Sequence, residues 1–204
     1  MLRAGRLITL EGLDGSGKTT LAAGLAAAFG ELTLLREPGG VALAERVRAL
    51  VTDPALAVDP RAEALLYAAA RAQLVAERVR PLLDGGRDVL LDRFLDSSLA
   101  YQGGGRGLGV EEIRTLNAFG TGGLVPDRTL LLRVDAATGR ARQSARSDPD
   151  RLEREHEAFF AAVAGAYDAL AAAEPGRFVV LDASAAPHAV LAAARDAVAA
   201  ALTA

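Results

Sequence analysis

Apolar residues along this chain follow two different periods. Short, nearly continuous apolar runs bounded by turn residues occupy 6–11 (RLITLE), 32–37 (LTLLRE), 88–92 (DVLLD), 129–134 (TLLLRV) and 178–182 (FVVLD). Runs without polar alternation suit strands covered on both faces, as in a parallel sheet. Between them a helical period extends over 18–29, 41–51, 60–83, 110–119, 136–147, 151–173 and 187–202. The alternation of the two predicts one α/β domain of 204 residues, a five-stranded parallel sheet with helices on both faces. Two segments break the pattern. Residues 101–109 (YQGGGRGLG) are too glycine-rich for helix or strand, and 140–155 (RARQSARSDPDRLERE) crowds arginines around a Ser-Asp-Pro-Asp turn. Both are expected to be loops that move or face a ligand.

The join between the first strand and the first helix reads GLDGSGKTT, from Gly12 to Thr20. Gly12, Gly17, Lys18 and Thr19 meet the spacing G-x-x-x-x-G-K-[ST], between a strand and an amphipathic helix as a phosphate-binding loop requires. Glycines let successive N–H groups converge on phosphate oxygens while the helix aims its positive end at them. The loop from Gly12 through Leu13, Asp14, Gly15, Ser16 and Gly17 to Lys18 and Thr19 is therefore the expected ATP site. Lys18 is the sole lysine of the chain, whose other 22 basic residues are arginine. A compact ammonium on a flexible stem fits inside such a loop, where a planar guanidinium does not. Thr19 is the expected ligand of Mg2+, a hard cation that takes oxygen donors.

Composition narrows the field. A net charge of −3 disfavours a nucleic-acid or anionic-membrane binder, which needs a broad basic surface. The absence of cysteine removes thiolate chemistry and disulfides, and the two histidines, His156 and His188, are too few and too far apart for a zinc site and are expected at the surface. No apolar run reaches membrane-spanning length, and the expected compartment is the cytoplasm. A switch GTPase would carry Asn-Lys-x-Asp, but the one asparagine, Asn117, precedes alanine. A ParA-like ATPase would need a second lysine.

A small kinase remains, with a second, anionic substrate facing the triphosphate. Asp92 and Arg93 end the third strand, at the carboxyl edge where ligands of parallel sheets bind, so Asp92 can support Mg2+ and Arg93 an acceptor phosphate. A surface ion pair at a turn is the plainer alternative. Arg142, Arg146 and Arg151 can close over the transferring phosphoryl group, unless they pair with Glu153 and Glu155. A nucleotide-dependent regulatory protein is the rival from another class.

The segments EGLDGSGKTT, REPGG, LLYAAARAQ, DRFLDSSLAYQGGGRGL, PDRTLLL and DRLERE, in this order, resemble the bacterial type of thymidylate kinase from about Arg6 to Tyr167. The resemblance implies a P-loop kinase fold with a lid at about 140–153, transfer of the γ-phosphoryl group of ATP to dTMP for dTTP synthesis, Mg2+ and a homodimer. It puts Asp14 near the 3′-hydroxyl of the acceptor, Arg93 on its phosphate, Tyr67 against the thymine ring, Arg71 on a thymine carbonyl, Tyr101 beside the sugar and Gln102 near the base. Arg36, Pro38 and Ser98 complete the acceptor site. Gly15 fits the subgroup whose lid supplies the catalytic arginines. Tyr67 stands where phenylalanine is usual, Phe94 where tyrosine or histidine is common, and Val41 where a small hydroxyl residue is usual. Without the resemblance, Tyr67 reads as a core aromatic and Arg71 as a surface partner of Glu63 or Glu77; another nucleotide kinase of the same fold is the nearest rival enzyme.

Overall fold

The computed structural model describes residues 4–135, 138, 139, 142 and 150–203. Among them, five strands form one wholly parallel sheet: β1 (Leu7–Glu11), β2 (Thr33–Arg36), β3 (Val89–Asp92), β4 (Arg128–Arg133) and β5 (Phe178–Asp182), in the order β2-β3-β1-β4-β5. After β3 the chain crosses over β1 to reach β4, so the direction of winding reverses beside β1. A crevice opens at such a reversal, outside the carboxyl ends of the strands.

Alternation within the apolar runs divides the core in two. Leu7, Val89, Leu91 and Leu131 face one layer, with α2 (Ala42–Thr52), α3 (Pro60–Leu74) and α7 (Glu157–Ala173) packed on it. Ile8, Leu10, Leu90, Leu130 and Leu132 face the other, under α1 (Lys18–Ala28) and α8 (Pro187–Thr203). All nine of these residues are at most 2% exposed. Truncating one to alanine would cost about 2–5 kcal/mol, because packed surroundings collapse only partly around the void. Burial on both faces holds for the three central strands but not the edges, where Leu34 of β2 and Val180 of β5 are exposed.

Three expectations change in detail. The predicted helix 60–83 is interrupted: α3 passes through a π-helical turn at Val75–Val79 before α4 (Arg80–Asp84). The glycine-rich 101–109 segment is not wholly a loop, because α5 (Leu95–Ser98) runs into a π-helical stretch, Leu99–Gly105, ahead of α6 (Val110–Thr121). The glycines there serve packing. A Cβ on Gly105 would lie 2.6 Å from Phe159 Cε2 and 2.7 Å from Val163 Cγ2, so only glycine lets this stretch press against α7. Finally, α7 starts at Glu157 rather than 151; Arg151–Arg154 form a turn in which Asp150 and Glu153 each accept the other's N–H at 2.9 Å. His156 is exposed as expected but also caps α7, its Nδ1 accepting the Phe159 N–H. Most of the predicted helix 136–147 lies outside the described residues.

Candidate active site

β1 delivers the phosphate loop to the crevice. Gly12 has φ +135°, and a Cβ there would come 2.5 Å from the Leu132 carbonyl oxygen of β4, so the turn out of the sheet excludes any side chain. The Lys18 side chain folds back into the loop, donating to the carbonyls of Gly12 at 3.0 Å and Leu13 at 2.9 Å, with Asp14 at 3.7 Å. Burial, then the Arg93 charge, lower the Lys18 pKa to about 8 against the pull of Asp14, Asp92 and Glu11. The ammonium is thus still mostly charged at neutral pH, yet poorly solvated and ready for an anion.

Arg93 stands at the centre. Among the described residues it is the non-glycine with a left-handed backbone, φ +70°, a conformation costing about 1–3 kcal/mol that persists only when neighbours hold it. They do so from both sides. Its N–H donates to Leu10, while its guanidinium donates to the Gly12 carbonyl at 3.2 Å, to Ser97 Oγ at 3.0 Å and to Asp14 Oδ1 at 2.5 Å, with the Tyr101 ring 5.2 Å away. Behind it the buried Glu11 carboxylate accepts from the Phe94 N–H at 2.8 Å, from Ser97 Oγ at 2.5 Å and from the Tyr167 hydroxyl at 2.8 Å. Glu11 therefore fixes the backbone of Phe94, the residue after Arg93, and the Ser97 hydroxyl to which Arg93 donates. Burial by itself would raise the Asp14 pKa, but the charges of Arg93 and Lys18 and hydrogen bonds from Arg93 and Tyr101 hold it well below the usual range.

Two cavities meet at Asp14 and Arg93. One is lined by the loop, Lys18, Thr19, Asp92 and Arg36. The other is lined by Pro38, Tyr67, Arg71, Ser98, Tyr101 and Gln102. Arg71 is 2% exposed and nearly saturated: its Nε donates to Glu37 Oε2 at 2.7 Å, Nη1 to Ser98 Oγ at 2.9 Å and to Asn117, and Nη2 to the Phe94 carbonyl at 3.0 Å. Such a guanidinium is held in one orientation, with a single N–H left for a ligand. The plainer alternative of a surface pair with Glu63 or Glu77 is not what the fold builds.

Unsatisfied groups gather here as well. Among the described residues, four buried side-chain polar atoms have no hydrogen-bond partner, and Ser16 Oγ, Glu37 Oε1 and Asp92 Oδ1 all belong to residues bordering this region. Buried polar groups without partners are costly, and a cluster of them points to a ligand. Asp92 and Thr19 offer oxygen toward the loop cavity, a donor set suited to Mg2+, which keeps waters and phosphate oxygens in its remaining positions.

A sequence model described as thymidylate kinase matches residues 10–193. The thymidylate kinase of Deinococcus radiodurans is 52% identical over 184 residues, covering 88% of this chain and 89% of that protein. That of Leifsonia xyli subsp. xyli is 52% identical over 190 residues, 89% of each. A crystal structure of thymidylate kinase from Ehrlichia chaffeensis superposes with a TM-score of 0.73 at 32% identity, covering 87% of this chain and 93% of that one.

The chain belongs to the thymidylate kinase family.

For a thymidylate kinase family member, the fold gathers most of the residues that the sequence singles out. Lys18, Thr19, Asp92, Arg93 and Asp14 share one wall, and Tyr67, Arg71, Ser98, Tyr101, Gln102 and Pro38 line the adjoining pocket. Arg36 lies on the loop side, exposed, bonded to Glu45 and the Pro38 carbonyl. Arg142 is exposed and donates to the Ala183 carbonyl at 2.9 Å. Arg146 lies outside the described residues. Arg151, expected over the transferring phosphoryl group, is not gathered at the loop: its Nη2 is 2.5 Å from Glu63 Oε2 and its Nε donates to the Val51 carbonyl, so the alternative partners Glu153 and Glu155 are not the ones it takes. Nothing in the sequence assigned a site role to Glu11, Glu37 or Ser97, and Glu63 stood there only as a possible surface partner of Arg71. The one signal available was acidic residues at or just beyond strand ends and within a helix, which surface residues also produce.

Proposed function

We propose that this protein transfers the γ-phosphoryl group of ATP to dTMP, yielding ADP and dTDP for dTTP synthesis. The observation that carries the reading is that the phosphate loop lines one cavity and Tyr67, Arg71 and Gln102 line an adjoining one, the two sharing Asp14 and Arg93. ATP lies along the loop from Gly12 to Thr19, with its base against a third cavity between Gly15–Thr20 and the turn at Ala183 and Ala185 that leads into the start of α8, beside Arg142. Lys18 leaves its two carbonyl partners for phosphate oxygens. Thr19 and Asp92 would hold Mg2+, which would supply charge neutralisation of the phosphates.

The acceptor enters the second pocket. Tyr67 covers the ring face, the free N–H of Arg71 meets a carbonyl, Gln102 meets the ring edge and Tyr101 packs beside the sugar. Arg93 grips the acceptor phosphate and Asp14 the 3′-hydroxyl. Little proton chemistry is required, because alignment of acceptor and donor oxygens together with fixed positive charge lowers the barrier. The segment at 140–153 acts as a lid, with Arg142 and Arg146 offsetting charge on the transferring group. Arg151 serves the far side of the pocket, through Glu63. The protein works in the cytoplasm as one domain per chain and as a homodimer, a state supported by large apolar side chains left exposed on two neighbouring helices, Phe119 (91% exposed) on α6 and Leu65 on α3. Among the described residues no helix is long and apolar enough to cross a membrane.

Coupled ADP release measured with dTMP, dUMP, UMP, CMP and AMP tests this reading. The highest kcat/KM is expected with dTMP. Faster turnover of another acceptor would reassign the substrate, and nucleotide binding without acceptor-dependent turnover would favour the regulatory alternative.

A further inference from the structure

Glu63 lies in the first turn of α3, fully buried, one layer behind the base pocket. Its Oε1 accepts from Gln102 Nε2 at 2.8 Å and from Arg106 Nε at 3.2 Å, and its Oε2 from Arg106 Nη2 at 3.0 Å and Arg151 Nη2 at 2.5 Å. Gln102 is itself 2% exposed and lines the pocket. A side-chain amide has a donor end and an acceptor end of nearly equal shape, so its hydrogen-bond partners decide which end faces a ligand. An ionised carboxylate only accepts. Burial works to neutralise Glu63, yet hydrogen bonds from Arg106, Gln102 and Arg151 hold its pKa below the ordinary value, so it stays an acceptor at neutral pH.

We propose that Glu63 is a positioning residue that turns the amide of Gln102 so that its carbonyl oxygen faces the acceptor base, selecting a pyrimidine with a ring N–H at N3 over one with a bare nitrogen there. Thymine and uracil present that N–H, whereas cytosine presents a lone pair that would face the Gln102 oxygen unpaired. Sites built to pair a donor reject an analogue lacking it far more strongly than sites that merely fit a shape. Arg106 and Arg151 keep the carboxylate charged, so the turn holding Arg151 and the π-helical stretch holding Gln102 converge on one acidic residue of α3. The inference rests on the dTMP reading above and extends it to how the base is read.

The test measures kcat/KM for dTMP and for dCMP, and KM for ATP, in the wild type, Glu63→Gln, Gln102→Glu and the exchange variant carrying both. Glu63→Gln can receive or donate, so the amide loses its fixed direction and the dTMP to dCMP preference is expected to fall about 10- to 100-fold with KM for ATP nearly unchanged. Gln102→Glu sets two carboxylates against each other and is expected to be worse for dTMP. In the exchange variant the new amide donates to the new carboxylate, whose other oxygen faces the base, so most of the preference should return. An unchanged preference in Glu63→Gln, or an exchange variant no better than Gln102→Glu, overturns the proposal. If Glu63→Gln does not fold, Glu63→Asp replaces it: the charge stays but the oxygens withdraw by one methylene, and an unchanged preference again overturns the role. A wild type inactive on dTMP would instead reject the dTMP reading itself.

Discussion

Arg71 and Glu37 form an ion pair of 2.7 Å in which the side chains are only 2% and 4% exposed. The pair makes Arg71 structural as well as ligand-facing, and the two roles can be separated. Removing one partner of a buried pair strands the other, at about 3–5 kcal/mol. Arg71→Ala is expected to lose that much stability to urea and to raise KM for dTMP about 10- to 150-fold, as loss of a charge-assisted hydrogen bond implies. The double variant Arg71→Ala/Glu37→Gln should regain much of the stability but none of the affinity, with KM for ATP steady throughout. Recovery of both together would mean that Arg71 only supports the pocket.

Lys18 gives a cleaner case, because its two ligand-free partners are carbonyls of its own loop. Lys18→Ala is expected to fold normally, with kcat lower by about 10²-fold or more, since the charge counts most as the phosphoryl group moves. Lys18→Arg should not restore the rate, a guanidinium being too broad for the space. Turnover near the wild-type rate in a folded Lys18→Ala protein would overturn the phosphate-loop assignment.

Opposed pKa shifts predict how stability depends on pH. Burial, then Asp96, push Glu11 up to about 7 from an ordinary 4.5, against Ser97, Arg93 and the Phe94 N–H; burial pushes Glu37 to about 7 as well, against Arg71. Folding favours their protonated forms, so this stability is full below about pH 4.5 and is lost as pH rises through 7. Asp14, held low by Arg93 and Lys18, has the opposite sign and contributes above its ordinary value near 3.8, losing that contribution as pH falls. The stability of the ligand-free protein to urea should therefore peak near pH 4 and decline toward 7.5, by on the order of 3 kcal/mol for Glu11. Glu11→Gln should flatten the decline. A wild-type midpoint rising from pH 5 to 8 would show that the carboxylate is ionised in the folded state throughout.

The tight seat of Gly105 makes a prediction about packing. Gly105→Ala would force a methyl group against Phe159 and Val163, and overpacking of this sort costs about 1–3 kcal/mol. Phe159 in turn meets Tyr101 edge to face at 6.1 Å, so KM for dTMP should rise along with the loss of stability. A variant as stable as the wild type would show that α7 and the glycine stretch are not packed in this way.

The order of strands and helices and the phosphate loop were legible along the chain because each depends on neighbours in sequence. The run LITLE records burial on both faces, and glycines at fixed offsets from Lys18 record a turn that no side chain can occupy. Arg93 and Asp92 were legible by position, as residues after an apolar run in a parallel sheet. The glycine-rich stretch misled because low helix propensity is overridden when close packing with α7 requires the missing side chain. Its Gln102 came from the resemblance, and the partner that orients it did not. Glu11, Glu37 and Glu63 are ordinary acidic letters in the sequence, and only the three-dimensional structure buries them against cations and hydroxyls 34 to 156 positions away. Backbone geometry and hydrophobic period are local, so the sequence alone determined the sheet and the loop. The energy of a buried charge depends on what surrounds it in space, and that the tertiary structure decided.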